Sequence, residues 1–239
     1  MQRSAPHRTR LLACAAAAAV PVMLIAGCSS TNTNAKTTTD GAPSSSPSGS
    51  VSGSGSGSAS PSLAAAEYAA LPEPCKAVTT KTVKALVPKV KDASGTAAKS
   101  TDPAARGGCS WNGLNGFQYR WLDVALQRFD SVAGIGSAES QAVKRYEELV
   151  TEAKAVKGAT AAEAAGLGDE ATTVTAKVTK DKEQYQDVTV IARTGNVAVI
   201  LTYNGAGFET AKTPKAAEIA KDALTAAKEA VASVAAKNA

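Results

Sequence analysis

A long tract of small polar residues limits which part of this chain can fold. Between Ser29 and Pro61, 25 of 33 residues are Ser, Thr, Gly or Pro. Such a composition offers too little apolar surface to offset the entropy that is lost when a segment becomes ordered. We predict a disordered linker over residues 28–61, with an average reach of roughly 30 Å. The remaining 178 residues, 62–239, are then expected to form a single domain.

The segment in front of this linker has the pattern of a lipoprotein signal peptide. A basic start is followed by an apolar stretch over residues 11–25 and by the small residues Ala26 and Gly27 before Cys28. At about 15 residues the stretch is too short for a membrane-spanning helix, which needs about 20. We predict that residues 1–27 are removed and that Cys28 carries a diacylglycerol, which anchors the protein at the extracytoplasmic face of the cell membrane. An ordinary secretory signal is the alternative.

The charge of the remaining chain excludes a dedicated nucleic-acid binder. The net charge of +5 includes three arginines within residues 1–27, a segment without acids. Residues 28–239 contain 23 Lys and Arg against 21 Asp and Glu, a net charge of +2. No block of basic residues appears, whereas nucleic-acid binding concentrates Lys and Arg on one face or arm.

The cysteines predict one disulfide. Cys14 lies in the predicted signal and Cys28 at the lipidation site, so Cys75 and Cys109 remain as a pair in an oxidising compartment. A redox-active or metal-binding pair is the alternative, but the sequence has no C-x-x-C spacing. We therefore predict a structural bond between Cys75 and Cys109.

Hydrophobic periodicity predicts an α+β fold. Capping residues and apolar spacing indicate a short helix after Thr79 that ends before Pro88, a longer helix after Ser137, and a terminal helix after Thr213. Alternating residues indicate five strands, the first two forming a hairpin with turns at residues 112–113 and 115–116. The expected architecture is an antiparallel sheet of about five strands, covered by two long helices and tied by one disulfide.

Three short segments, placed behind a lipoprotein signal, resemble a known family. These are Glu73-Pro74-Cys75, Gly108-Cys109-Ser110-Trp111 and Gly166-Leu167-Gly168-Asp169-Glu170-Ala171. The pattern resembles the actinobacterial lipoprotein family known as domain of unknown function 3558, over about residues 70–235, although Glu73 stands where that family more often has Asp. The resemblance implies an envelope location, a disulfide and one domain, and it brings no catalytic residues.

The inventory of reactive side chains argues against most enzyme classes. The single histidine, His7, lies in the predicted signal, so the mature chain would have no imidazole base or zinc ligand. With Cys75 and Cys109 paired, the domain has no thiolate nucleophile either. We predict no metal, no cofactor and no catalytic residues; a hydrolase that uses two carboxylates remains the enzymatic alternative.

Half of the ten aromatic residues fall in the predicted hairpin. If Trp111 faces the core, Tyr119 and Trp121 share the other face of their strand and form a candidate binding patch, to which we add Asp169 in a glycine-rich loop. The alternative buries Tyr119 and Trp121 under a helix. Asp123, in the same strand, is expected to pair with Arg120 or Arg128.

These observations leave three functional hypotheses. The favoured one is a non-catalytic envelope lipoprotein that binds a small ligand, a cell-wall glycan or another protein. The second is an accessory or regulatory subunit of a membrane or cell-wall machine, for which the linker provides reach. The third is the histidine-independent carboxylate hydrolase, which requires two acids with raised pKa values in one cleft.

Overall fold

A computed structural model describes residues 63–239 of the protein. The predicted signal peptide, the lipidation site at Cys28 and the linker lie outside these described residues. The described part is an α+β fold in which a seven-stranded antiparallel sheet separates two long helices. No helix within residues 63–239 combines the length and the apolar character needed to cross a membrane.

The sheet has two more strands than the alternation pattern predicts. In chain order the strands are β1 (Thr96–Ala97), β2 (Arg106–Asn115), β3 (Gln118–Arg128), β4 (Thr160–Glu163), β5 (Glu170–Lys180), β6 (Glu183–Thr194) and β7 (Val197–Gly207). Their order across the sheet is β1-β2-β3-β7-β6-β5-β4. The prediction of about five strands missed β1 and β4, which are short and fully exposed edge strands. With no buried face, neither of them shows an alternation of apolar and polar residues.

Three helices accompany the sheet, whereas the expected architecture counted only the two long ones as covering it. They are α1 (Thr80–Leu86), α2 (Ala138–Lys154) and α3 (Ala216–Asn238). The predicted caps of the first two are confirmed, because the Thr79 side chain accepts from the amide of Thr82 and that of Ser137 from the amide of Ser140. The cap predicted at Thr213 is wrong. Lys215 is extended, with φ −72° and ψ 136°, and α3 begins only after it. Pro214 packs instead on Gly205 of β7, where a Cβ would lie 2.9 Å from the proline Cγ.

Of the two turns predicted in the hairpin between β2 and β3, one is confirmed and the other is wrong. Asn115 ends β2 and Gly116 turns the chain with φ +59°, as predicted. The other dipeptide, residues 112–113, lies inside β2 instead. Gly113 is required there by close approach, because a Cβ at this position would lie 2.5 Å from the carbonyl oxygen of Pro88.

The two faces of the sheet are covered by different helices. On one face, which we call the α3 face, buried side chains of β3, β6 and β7 pack with α1 and with apolar residues of α3 such as Ile219 and Ala223. The buried hydroxyl of Tyr203 donates to the carbonyl oxygen of Leu86 at 2.5 Å and so joins β7 to α1. The opposite face, the α2 face, receives α2, whose Tyr146 hydroxyl lies 2.7 Å from the hydroxyl of Thr172.

The predicted disulfide is confirmed. Cys75 is bonded to Cys109, which ties a three-residue 3-10 helix, Pro74–Lys76, to strand β2. Trp111, two residues further along β2, is 1% exposed and points into the α3 face, as Cys109 does. The disulfide therefore closes the core at the end of the sheet where β1 and β2 lie.

Candidate functional site

Helix α2 covers only one end of the α2 face. Its contacts fall near the ends of β3 and β6: Arg145 donates to the side chain of Gln127 at 3.1 Å, and Glu139 lies 3.7 Å from Arg193. Further along the same strands, the outward side chains of Trp121 and Asp187 are only half-buried. The part of this face beyond α2 is therefore open to a ligand.

The open part of the face forms a cleft of about 370 Å³. This volume falls within the range of small-molecule sites, roughly 300–1,000 Å³. We call it the sheet cleft, and its lining residues are Tyr119, Trp121, Val178, Lys180, Tyr185, Asp187, Thr202 and Asn204. The two aromatic residues of the candidate binding patch, Tyr119 and Trp121, thus lie together in this cleft.

Strand register explains why these residues meet. Trp121 in β3 lies opposite Asn204 in β7, and Asn204 lies opposite Asp187 in β6. Residues that face one another across antiparallel strands project from the same face of a sheet, with Cβ atoms about 4.5–5.5 Å apart. Trp121, Asn204 and Asp187 therefore form one row that crosses the floor of the cleft.

An aromatic cluster lies next to this row. The ring of Tyr119 stacks on that of Phe208, with centroids 5.8 Å apart, and the ring of Tyr185 meets both edge-on at 6.3 Å. Burial, reinforced by the nearby Tyr185, raises the pKa of Tyr119. Its phenol is therefore neutral at physiological pH and available as a hydrogen-bond donor.

Two carboxyl groups on this face are partly removed from water. Burial raises the pKa of Asp187, an effect that the side chain of Asn204 partly offsets, and burial alone raises the pKa of Asp123. Asp123 borders the cleft, because it lies opposite the lining residue Thr202. With raised pKa values, the folded state holds these protons more tightly than the unfolded chain. Both groups thus lower stability as the pH rises from the ordinary Asp value through the raised one.

The predicted pairing of Asp123 with Arg120 or Arg128 is wrong. Side chains alternate along a strand, so both arginines project from the face opposite to that of Asp123. Arg128 pairs with Asp130 instead, and the guanidinium of Arg120 donates to the carbonyl oxygen of Tyr119 at 2.8 Å. No ion pair of Asp123 or Asp187 occurs within residues 63–239.

Asp169, the third residue of the candidate patch, lies away from the cleft. Its carboxylate accepts from the Arg193 guanidinium at 2.9 Å and from the Gly195 amide at 2.7 Å. Arg193 also binds Glu170 at 2.5 Å. Arg193 follows Tyr185 by eight positions, about 26 Å along strand β6. Asp169 therefore anchors the loop before β5 to the far end of the sheet, and the structure does not bring it together with Tyr119 and Trp121.

Sequence reasoning missed most of this site. It did not identify six of the eight lining residues, Val178, Lys180, Tyr185, Asp187, Thr202 and Asn204, nor the neighbouring Phe208. A signal was present in β6, where Tyr185, Asp187 and Thr189 alternate with residues that include the buried Val188 and Val190. That pattern shows a polar face but does not reveal which strand lies beside it. The pairing of β3 with β7, which joins the two halves of the cleft, links segments about 80 residues apart.

The cleft offers groups suited to stacking and hydrogen bonding. It combines aromatic surface with hydroxyl, amide, ammonium and carboxyl groups. No group of His, Cys, Asp and Glu side chains in the described part of the chain is arranged to hold a metal ion. The arrangement can hold an uncharged or mixed polar ligand by stacking and hydrogen bonding.

Comparison with known proteins found no match: no protein-family model, no curated protein and no solved structure is similar to this chain.

Proposed function

We propose that this protein is a lipid-anchored, extracytoplasmic module that binds a ligand in the sheet cleft without transforming it. The observation that carries the proposal is the row of Trp121, Asn204 and Asp187, which neither long helix covers. A half-exposed tryptophan beside hydrogen-bonding groups in a concave site is typical of ligand recognition. The anchoring part of the proposal rests on the signal pattern before Cys28, which also underlies the resemblance to the actinobacterial lipoprotein family.

The described start of the chain lies away from the cleft, which supports this proposal. The backbone amide of Tyr68 donates to the Asn196 side chain at 2.8 Å, and the side-chain amide of Asn196 donates to the Tyr68 carbonyl oxygen at 3.0 Å. Asn196 lies at the β6–β7 turn, whereas Tyr185 lines the cleft at the other end of β6. Asn196 follows Asp187 by about 30 Å of strand, and Tyr68 does not line the cleft.

The spacing of the two acids favours binding over hydrolysis. Asp123 and Asp187 lie on the same face, two strands apart and offset by two residues. Strand spacing and rise then separate their Cα atoms by about 12 Å. Side chains stand roughly perpendicular to a sheet, so the carboxyl groups are farther apart than the roughly 5–9.5 Å that glycosidases use. This geometry argues against a carboxylate hydrolase in the sheet cleft.

Anchoring predicts that Cys28→Ser abolishes lipid attachment. In cells supplied with labelled palmitate, the parent protein should incorporate the label and remain in the membrane fraction. The variant should lose the label, because the thiol that accepts the diacylglycerol is gone. Cys14→Ser is the matched control and should keep the label, since Cys14 lies within the predicted signal. Retention of the label in Cys28→Ser would show that the anchor is elsewhere.

Ligand binding predicts that Trp121→Ala loses a natural ligand. Native mass spectrometry of the full-length protein, released from membranes in mild detergent, should show excess mass that disappears on denaturation. Trp121→Ala should lower the occupied fraction by about tenfold, because it removes the main stacking surface of the cleft. Phe117→Ala is the control, since Phe117 is 57% exposed at the hairpin tip and does not line the cleft. Equal occupancy in parent and Trp121→Ala would contradict the proposal.

A further inference from the structure

The charges of the sheet cleft favour a neutral ligand. Its lining contains one acid, Asp187, and one base, Lys180. Neither forms an ion pair with any of the residues that the structure describes. These opposite charges give the lining no net charge, so it has no net attraction for an anion or a cation, whereas an uncharged polar ligand can form hydrogen bonds with both groups.

The hydrogen-bonding groups of the cleft call for a ligand that both donates and accepts. The Asp187 carboxylate only accepts and the Lys180 ammonium only donates, while Thr202 and Asn204 do both. The Oδ1 atom of Asn204 is buried and has no hydrogen-bond partner among the described residues. Hydroxyl groups, each with one donor and two acceptor positions, match this mixed set.

Trp121 provides the flat apolar surface that such a ligand must also contact. It takes part in none of the three aromatic pairs found within residues 63–239, all of which join Tyr119, Tyr185 and Phe208. Its indole therefore remains available to a ligand, beside the polar groups of the same row. A pyranose ring has an apolar face of C–H groups and an edge of hydroxyl groups, and it meets both requirements at once.

We propose that the sheet cleft binds a neutral oligosaccharide. One sugar ring stacks on Trp121, and its hydroxyl groups donate to Asp187 and Asn204 and accept from Lys180. This inference rests on the proposed binding function and adds the chemical class of the ligand. The volume of about 370 Å³ accommodates one to two sugar rings, so further rings extend beyond the open mouth of the cleft.

The test is a calorimetric titration of the full-length protein in mild detergent with three neutral trisaccharides: maltotriose, cellotriose and tri-N-acetylchitotriose. At least one should bind, and saturation-transfer NMR should show the strongest transfer to ring C–H protons. Glucitol, an open-chain polyol without a flat ring face, is the ligand control and should not bind. Asp187→Asn should raise the Kd about tenfold or more, because it removes a charge-assisted hydrogen bond.

A matched variant and a stability readout separate binding from folding. Glu163→Gln removes an exposed carboxylate from β4, outside the cleft, and should change the Kd by less than about twofold. Asp187→Asn should unfold in urea at a midpoint no lower than that of the parent at pH 7, because burial penalises the charged carboxylate it replaces. A large drop in that midpoint would show that Asp187 supports the fold, and would overturn its assignment as a ligand-binding group.

The outcomes distinguish this inference from the broader proposal. Binding of none of the three trisaccharides, or binding that Trp121→Ala leaves unchanged, overturns the oligosaccharide assignment. The assignment is also overturned if cyclohexylammonium binds instead of the trisaccharides and Asp187→Asn weakens that binding. This result would show that the cleft binds a cation. In each case, a non-saccharide ligand found by native mass spectrometry and lost in Trp121→Ala would still support the proposed binding function. The absence of every bound ligand, or a bound ligand that Trp121→Ala retains fully, would contradict both.

Discussion

Removal of the Cys75–Cys109 disulfide is expected to lower the free energy of unfolding by about 3–4 kcal/mol. The bond closes a loop of 34 residues in sequence separation, and a loop of that length restricts the unfolded chain by roughly this amount. The loop contains α1 and β1, and the bond ties the 3-10 helix Pro74–Lys76 to β2. Urea denaturation of the double variant Cys75→Ala/Cys109→Ala, followed by far-UV circular dichroism, measures the loss.

The control for this variant is Lys76→Ala, in the same 3-10 helix. It breaks the Glu73–Lys76 ion pair, whose two side chains are 71% and 76% exposed. Exposed pairs of this kind contribute less than about 1 kcal/mol. A disulfide-free protein as stable as Lys76→Ala would show that the cross-link contributes little, and that the apolar core alone orders this end of the sheet.

Trp111→Ala is expected to lower the free energy of unfolding by about 3–5 kcal/mol, the usual effect of truncating a buried aromatic side chain. Trp111 is 1% exposed and lies between the disulfide and the α3 face. Gly95 packs so closely on it that a Cβ there would lie 2.5 Å from the indole Nε1. Truncation therefore leaves a large void in a tightly packed region. Urea denaturation followed by far-UV circular dichroism is again the measurement, because the fluorescence of this tryptophan is lost.

Trp111→Phe is expected to lower the free energy of unfolding much less, by about 1 kcal/mol. The indole Nε1 of Trp111 is buried and has no hydrogen-bond partner among the described residues. Phenylalanine keeps most of the ring volume and removes this unsatisfied donor, so part of the packing loss is offset. Trp121→Ala is the comparison. Because Trp121 is only half-buried, this variant should lose less than half as much free energy of unfolding as Trp111→Ala. A loss of stability for Trp111→Phe as large as that for Trp111→Ala would contradict the attribution of the loss to the void left by the ring.

Local sequence patterns predicted the elements that depend on neighbouring residues. Thr79 and Ser137 cap helices because a hydroxyl can reach an amide three residues later, whatever the rest of the chain does. The turn between β2 and β3 lies where the dipeptide at residues 115–116 predicted it, with Gly116 at φ +59°. The disulfide could also be predicted from the sequence, because only two cysteines remained in the domain. These features follow from short-range geometry and from counting.

The two edge strands could not be predicted from local sequence patterns. β1 and β4 form because β2 and β5 offer free backbone groups to pair with, and their own side chains are exposed. Gly113 likewise resembles a turn residue in sequence, but it serves a contact with Pro88 that only the folded chain creates. In both cases the decisive interaction is made by backbone atoms that are distant in sequence.

The α+β class, two of the three helix caps, the disulfide and the common face of Tyr119 and Trp121 could be predicted from the sequence. Which groups surround Tyr119 and Trp121 on that face depends on the folded domain. The pairing of β3 with β7 and of β7 with β6 places Trp121, Asn204 and Asp187 in one row, while α2 stops short of it and Asp169 is held by Arg193 at the other end. The physical reason is the range of the interactions involved. Caps, turns and alternation act over a few residues, whereas strand order and helix placement depend on how the whole domain buries its apolar surface.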